Sequence, residues 1–404
     1  MILAPCKKIY KNETQRTTSP EDTLARVEKA LPAAGITRVA DITSLDRVGI
    51  PVFSSIRPTA GRGAVSVYNG KGATPTEARV SAIMEGIERY SAEVPPGSSL
   101  ITESYSKINR EYPCLDPDLL ILPARSDPVM PIPWVRGFDL VGNEVLMVPA
   151  SAVFHPLPEE YPQLFRTSTN GLASGNTLEE AVFHALMEVI ERDAWSLVEA
   201  RRNTGPRVGA VSEPLSLDLL SRFSSAEVEV VVKDITSDLK IPTFAAVSDD
   251  TRLRDPALLT IGMGTHTNAA IALLRALTEV AQSRLTQIHG AREDTPTADI
   301  RKKIGYERVR RMNKYWFDAE SEIPFSSVTS CDTDDFLTDI TMTIARLKSA
   351  GMDRVIVVDL TRPELGVPVV RVIVPGLESF AMDQERMGAR CRAARDRRIS
   401  GSKL

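Results

Sequence analysis

Acidic residues recur in this chain at a spacing suited to holding a divalent cation. Glu85 and Glu88 are followed by Arg89, and Glu188 and Glu191 by Arg192. The surrounding residues match as well, so that Ala78 to Arg89 and Ala181 to Arg192 are two copies of one segment. A third copy, Ile271 to Gln282, keeps the first acid as Glu279, replaces the second with Gln282 and runs on to Arg284. An internal repeat of this kind means that one structural unit has been used three times. At about 100° per residue, Ser81, Glu85 and Glu88 fall within about 60° of one another on a helix. On the second copy Asn176, Glu180, Glu188 and Glu191 span about 120° over about four turns.

The other faces of these segments are alanine, valine, leucine, isoleucine and phenylalanine, which predicts buried helices that carry a polar stripe. Like-charged carboxylates removed from water cost several kcal/mol unless a cation compensates them. Magnesium held through carboxylates commonly bridges substrate phosphates. The turn Asn69-Gly70-Lys71-Gly72-Ala73 lacks the G-x-x-x-x-G-K-[ST] spacing, so a nucleotide site here is not of the Walker type. Taken singly, E-x-x-E-R also describes a solvated, ion-paired helix surface. Surface charge has no reason to repeat its register three times, and the repeat therefore favours a site.

The elements that must position this stripe follow from patterning. Ser19 to Leu31 opens with a capping residue and a proline, as a helix does. Glu227–Asp234, Thr243–Val247, Leu258–Gly264, Arg354–Leu360 and Val369–Val374 are β-branched runs, which together with the helices predict an α/β protein. Prolines crowd residues 94–160, which reads as a possible insertion or subdomain, and 381–404 reads as a basic tail, frayed or partner-contacting or simply solvated, on a catalytic region spanning 1–380. The 404 residues are 43% hydrophobic and 25% charged, with 49 basic and 53 acidic side chains. That balance of −4 gives no overall pull toward nucleic acid or anionic membrane. No run reaches the roughly 18 apolar residues of a membrane span. Met1 to Lys8 lacks the order of a secretory leader, so a cytoplasmic protein is expected. Ser402-Lys403-Leu404 matches a peroxisomal address, a three-residue match that is a common accident. The four cysteines lie far apart, which predicts free thiols.

The blocks Asn69 to Thr74, Ser81-x-x-x-Glu85-x-x-Glu88-Arg89, Asn170 to Asn176 leading to Glu188-x-x-Glu191-Arg192, Arg275 to Arg284, and Pro368 to Gly376 resemble the YcaO family, in the same order from Arg16 to about Glu378. The resemblance implies a YcaO-type α/β fold with mixed sheets and three repeated acidic helices around a nucleotide site. It implies ATP-dependent activation of a backbone amide: the amide oxygen attacks the γ-phosphate, and a nucleophile then displaces phosphate. On that resemblance Glu85, Glu88, Glu188 and Glu191 would hold magnesium, with Asn176 and Glu180 completing the lattice of metal and phosphate. Arg16, Ser81 and Arg284 would contact phosphates, Lys71 would add a further contact, and Arg192 would order the carboxylates or a phosphate. A homodimer is expected on the same ground.

Gly35 to Asp41 and Leu45 to Phe53 resemble the archaeal methanogenesis-marker branch of that family. This branch is associated with converting a glycine of the methyl-coenzyme M reductase alpha subunit to thioglycine, often with a TfuA-type partner or a sulfide donor. The ending Arg397 to Leu404 lacks the P-x-P-x-P pattern common among azoline-forming members, which disfavours cyclodehydration. A nucleotide-binding scaffold for a sulfurtransferase and a two-metal hydrolase are the other readings. His184 falls on the second repeat within reach of Glu180 and Glu188, so it reads either as a contact of the site or, the favoured reading, as a satisfied polar core histidine. Trp195 is read as core or as a flank for adenine, and Cys391 as the most accessible thiol.

Overall fold

The computed structural model describes residues 1–404 apart from 99, 128, 292–295, 319–320 and 402–404, with the side chains of 296–297 and 398–401 also left out of the description. The terminal Ser402-Lys403-Leu404 therefore lies outside the described residues. Each repeat proves to be a strand, a tight turn and a long helix. The first repeat helix is Pro75–Ser91, the second Leu178–Arg201 and the third Ala269–His289. Side chains cap all three. The Thr74 hydroxyl accepts the Glu77 N–H while the Glu77 carboxylate accepts the Thr74 N–H. Thr177 accepts the N–H of Glu180, and Asn268 accepts those of Ala270 and Ile271. Such caps satisfy amides that have no partner within the helix. Thr74 and Glu85, Thr177 and Glu188, and Asn268 and Glu279 are each eleven positions apart, so the first acid sits at the same depth in each helix.

Each repeat helix has its own sheet. The first packs on an antiparallel sheet of β1 (Arg38–Asp41), β2 (Val52–Ile56) and β3 (Val67–Lys71), in that order. The second packs on a sheet of β4 (Ile101–Glu103), β5 (Ile132–Asp139), β6 (Glu144–Pro149), β7 (Leu172–Ser174), β13 (Ile356–Asp359) and β14 (Val369–Ile373), ordered β4-β5-β13-β14-β7 with β6 beside β5. The third packs on β8 (Arg207–Gly209), β9 (Val228–Asp234), β10 (Thr243–Asp250), β11 (Thr260–Thr265) and β12 (Glu322–Pro324), ordered β11-β10-β9-β8-β12. The pairing of β8 with β12 is parallel and makes this last sheet mixed.

The strands that lead into the repeat helices also close a ring. The first helix touches β7, the second touches β11 and the third touches β3, so each unit leans on the next. Close approach of helix to strand depends on glycine. A Cβ on Gly70 would lie 1.9 Å from the Ala82 nitrogen, one on Gly175 2.5 Å from the Ala181 nitrogen, and one on Gly262 2.2 Å from the Val280 nitrogen. All three obstacles are helix backbone, which cannot swing away.

Several expectations are met and three are corrected, among them the accessibility of Cys391. The predicted first helix runs Pro20–Val27 with Ser19 as its cap and a 3-10 turn at Glu28–Ala30. The strands expected in the second half appear as β9, β10, β11, β13 and β14. Residues 94–160 do not form a separate subdomain. Strand β5 pairs with β13, and Trp134, Leu146 and Val148 share one core with Ile83, Ile87, Ile356 and Val369. The C-terminal segment is not a solvated tail. Its helix, Ala389–Gly401, packs on the second repeat helix, where Arg390 pairs with buried Asp193 at 2.8 Å. Cys391 is fully buried there, and burial together with nearby Glu378 raises its thiol pKa. No helix among the described residues is long and apolar enough to cross a membrane.

The ring geometry generates a stability prediction. Gly262→Ala should lower folding stability by about 1–3 kcal/mol through overpacking against the third repeat helix. Urea unfolding would check this, and an unchanged midpoint would mean that the helix can move away from the strand.

Candidate active site

The three repeat helices surround one cavity of about 660 Å³. Taking the first acid as position zero, positions −4, 0, +3 and +4 lie within about 100° of one another on a helix. The first helix places Ser81, Glu85, Glu88 and Arg89 on the cavity wall. The second places His184, Glu188, Glu191 and Arg192 there, and the third Arg275, Glu279, Gln282 and Ser283. The same four register positions thus face one space from three directions.

Of the residues predicted from sequence, Arg16, Lys71, Ser81, Glu85, Glu88, Asn176, Glu180, Glu188, Glu191 and Arg192 all line this cavity. Arg284 does not. It is fully buried elsewhere, donating from Nε and Nη2 to Asp46 at 2.9 and 3.1 Å and from Nη2 to Asp250 at 3.0 Å. Helix geometry explains the difference: Arg284 lies about 140° around the helix from Glu279, whereas Arg275 lies about 40° from it. Sequence reasoning assigned no role to Arg275, Glu279 or Gln282. Their signal was the register of the third copy, in which Arg275 stands where Ser81 and His184 stand.

Asn176 and Glu180 are on the wall, yet their polar atoms already have protein partners. Glu180 Oε2 accepts the Thr17 N–H at 3.0 Å and hydroxyl at 2.8 Å, and Asn176 Nδ2 donates to Glu180 Oε1 at 3.1 Å. Asn176 Oδ1 accepts from Thr23 at 3.0 Å and from Arg26 at 2.6 Å. These bonds hold the segment Arg16–Val27 over one end of the cavity. Glu180 lies 3.7 Å from the Arg16 guanidinium. At the other end Trp195 joins the wall under the Arg192 guanidinium, 5.6 Å from the ring centre.

Glu85 is paired with Arg89 at 3.0 Å and Glu279 with Lys71, but Glu88, Glu188 and Glu191 are short of positive partners. The Arg192 guanidinium stands 3.8 Å from both Glu188 Oε1 and Glu191 Oε1, beyond hydrogen-bonding distance. Glu191 Oε2 is buried with no partner. Burial pushes the Glu191 carboxyl up to about 7, with Glu279 adding repulsion. Burial likewise pushes Glu88 up to about 7, against hydrogen bonds from the Ser174 hydroxyl and N–H at 2.7 and 2.8 Å, and Glu85 and Glu188 add to the rise. The Glu188 carboxyl is also raised, chiefly by burial. Burial acts the same way on Glu279, but Lys71, which is paired with it, and Arg192 outweigh it and hold that carboxyl low.

Unpartnered buried carboxylate oxygens fit a divalent cation, which would relieve both desolvation and mutual repulsion. Among the described residues no three His, Cys, Asp or Glu side chains form a ready-made cage.

Known proteins share this architecture. The family description "YcaO cyclodehydratase, ATP- and Mg2+-binding" matches residues 69–378. The chain belongs to the YcaO family. A protein of Methanothermobacter thermautotrophicus is 52% identical over 382 residues, covering 93% of this chain and 98% of that protein. A Rhizobium leguminosarum protein, described by its position in the tfuA 3′ region, is 33% identical and covers 90% of this chain and 88% of its own length. The structure of YcaO from Methanopyrus kandleri bound with AMPPCP and Mg2+ is 32% identical, with a TM-score of 0.79 over 95% of this chain and 98% of that one. The α/β architecture is therefore that of YcaO proteins, a family that binds ATP and magnesium.

The raised carboxyls make the metal-free YcaO chain sensitive to pH in a defined direction. Their folded values near 7 exceed the ordinary 4.5, so between those pH values the folded chain holds protons that the unfolded chain has released. Stability without magnesium should fall as pH rises through that window. Melting curves of metal-free wild type and Glu191→Gln should diverge there, the variant losing less stability. Parallel curves would show that burial does not perturb Glu191.

Proposed function

We propose that this chain is an ATP- and magnesium-dependent enzyme that activates a peptide-backbone amide and exchanges its oxygen for sulfur. The observation that carries the reading is the convergence of twelve side chains, four from each repeat helix, on one cavity in which the buried Glu191 Oε2 has no partner. Glu85, Glu88, Glu188 and Glu191 are the proposed magnesium ligands, and Glu279 is a further acid within the same ring. Magnesium bound there would neutralise charge on the phosphates. Arg16, Lys71, Ser81, Arg192 and Arg275 are the proposed groups that orient the triphosphate, since phosphoryl transfer is mainly positioning and charge neutralisation.

In this reading the amide oxygen attacks the γ-phosphorus and the bond to the β-γ bridging oxygen breaks, releasing ADP. Hydrosulfide then adds to the activated carbon. Departure of phosphate, which carries away the former amide oxygen, and loss of the sulfur proton leave the thioamide. The proposed target is a glycine of the methyl-coenzyme M reductase alpha subunit, with a TfuA-type protein as sulfur-delivery partner. The motifs at Gly35–Asp41 and Leu45–Phe53 support this branch, and the Rhizobium relative's tfuA-linked description is consistent with such a partner. Azoline-forming cyclodehydration is the second reading, favoured by the cyclodehydratase wording of the family description.

Incubation with magnesium, ATP, sulfide and a glycine-containing peptide of the reductase alpha subunit separates the two. Thioamidation exchanges oxygen for sulfur in the peptide mass with one ADP per exchange, whereas cyclodehydration removes one water. Glu191→Gln should lower turnover by about a hundred-fold or more. ATP binding without any product, even with a TfuA-type protein present, would leave the scaffold reading in place of an enzyme.

A further inference from the structure

His184 occupies the repeat position held by Ser81 on the first helix and Arg275 on the third, and it faces the same cavity. Its residue is only 8% exposed, and neither ring nitrogen has a hydrogen-bond partner. An unpaired buried polar group costs on the order of 1–3 kcal/mol, so a side chain left in this state needs a partner that the chain itself does not supply.

The surroundings limit where that partner can be. Phe183 and Phe336 stand edge-on to the imidazole with ring centres 5.5 and 6.3 Å away, and neither offers a hydrogen bond to it. Behind them Lys8 lies 5.3 Å from the centres of both phenylalanine rings and is committed to Asp339 and Gln15, at 2.6 Å each. His266 packs edge-on to Phe183 with ring centres 5.1 Å apart and makes no hydrogen bond to His184. His184 lines the cavity as well. Arg16 and Arg275 also line it there, and with burial as the larger effect they keep the imidazole uncharged, with one N–H to donate.

We propose that His184 is a nucleotide-binding residue that donates a hydrogen bond to a phosphate of the bound triphosphate. The inference rests on the nucleotide reading of the cavity given above. It assigns the −4 position of all three repeat helices to one task, with a hydroxyl, an imidazole and a guanidinium approaching the same polyanion.

The test is titration of the full chain, in magnesium, with ATP, ADP and adenosine, comparing wild type with His184→Phe and His184→Gln. Phenylalanine suits the aromatic surroundings and removes the donor; glutamine retains an N–H. ATP affinity should fall about ten-fold or more in His184→Phe, with adenosine affinity unchanged and partial recovery in His184→Gln. Wild-type ATP affinity in His184→Phe would overturn the proposal and leave the nucleotide reading standing. An equal loss for ATP and adenosine, accompanied by a lower melting temperature, would make His184 a packing residue and also overturn it. Failure of the wild type to bind any of the three nucleotides would remove both readings together.

Discussion

Carboxylates gathered away from water are the constraint around which this molecule is built. Burial and neighbouring acids, Glu85 and Glu188 for Glu88 and Glu279 for Glu191, hold both carboxyls near neutral pKa values, and Glu191 keeps one oxygen with no partner at all. A fold selected for stability alone would replace such groups with apolar side chains of similar volume. Acids stand at one common depth on all three repeat helices, as Glu85, Glu188 and Glu279, and in the proposed reading a cation and an anionic ligand complete that arrangement together. The protein supplies the negative half of that arrangement in the middle and positive groups, Arg16, Lys71, Arg192 and Arg275, around it.

Holding like charges at fixed separation requires a rigid frame, and the ring of strand–turn–helix units supplies one. Each repeat helix is capped by a side chain, seated on its own sheet and braced by the strand of the next unit. The glycines at 70, 175 and 262 let helix and strand backbones approach without a side chain between them. The C-terminal helix extends the bracing to the second repeat helix, since Asp193, the residue after Arg192, pairs with Arg390 and accepts the Glu378 N–H at 3.0 Å. From its other end Thr17, Thr23 and Arg26 fasten the N-terminal segment onto Glu180 and Asn176. The second helix is thus fixed at both ends, and from Glu180 to Trp195 it lines about 22 Å of the cavity at 1.5 Å per residue.

Arg284 shows how buried charge is treated outside the cavity. It is enclosed by Asp46 and Asp250, and Arg47 adds a further donor to Asp250 at 2.8 Å. That network ties the loop before β2 to the third repeat helix and to β10, and its charges are matched within the chain. The contrast with Glu191 is one of charge pairing: Arg284 is held by two carboxylates at 2.9–3.1 Å, whereas Glu191 Oε2 has no partner and its residue lines the cavity.

How much of this was legible in the sequence follows from what is local. The repeat, its acid spacing, the capping residues and the β-branched strands are set by neighbours within a few positions, because helix period and cap chemistry act over one or two turns. Ten of the eleven predicted site residues consequently reached one cavity. Tertiary structure alone decided the rest. That Arg284 faces away while Arg275 faces inward depends on which side of the third helix its sheet covers. Residues 94–160 join the common core, and the basic C-terminal segment docks instead of fraying, because β13 and Asp193 provide partners more than a hundred residues away in the chain. His184 read as a satisfied core histidine from sequence. Its open nitrogens became evident only once Phe183 and Phe336 were seen edge-on to the ring and the cavity beside it, since hydrogen-bond satisfaction is a property of the packed environment and not of the residue.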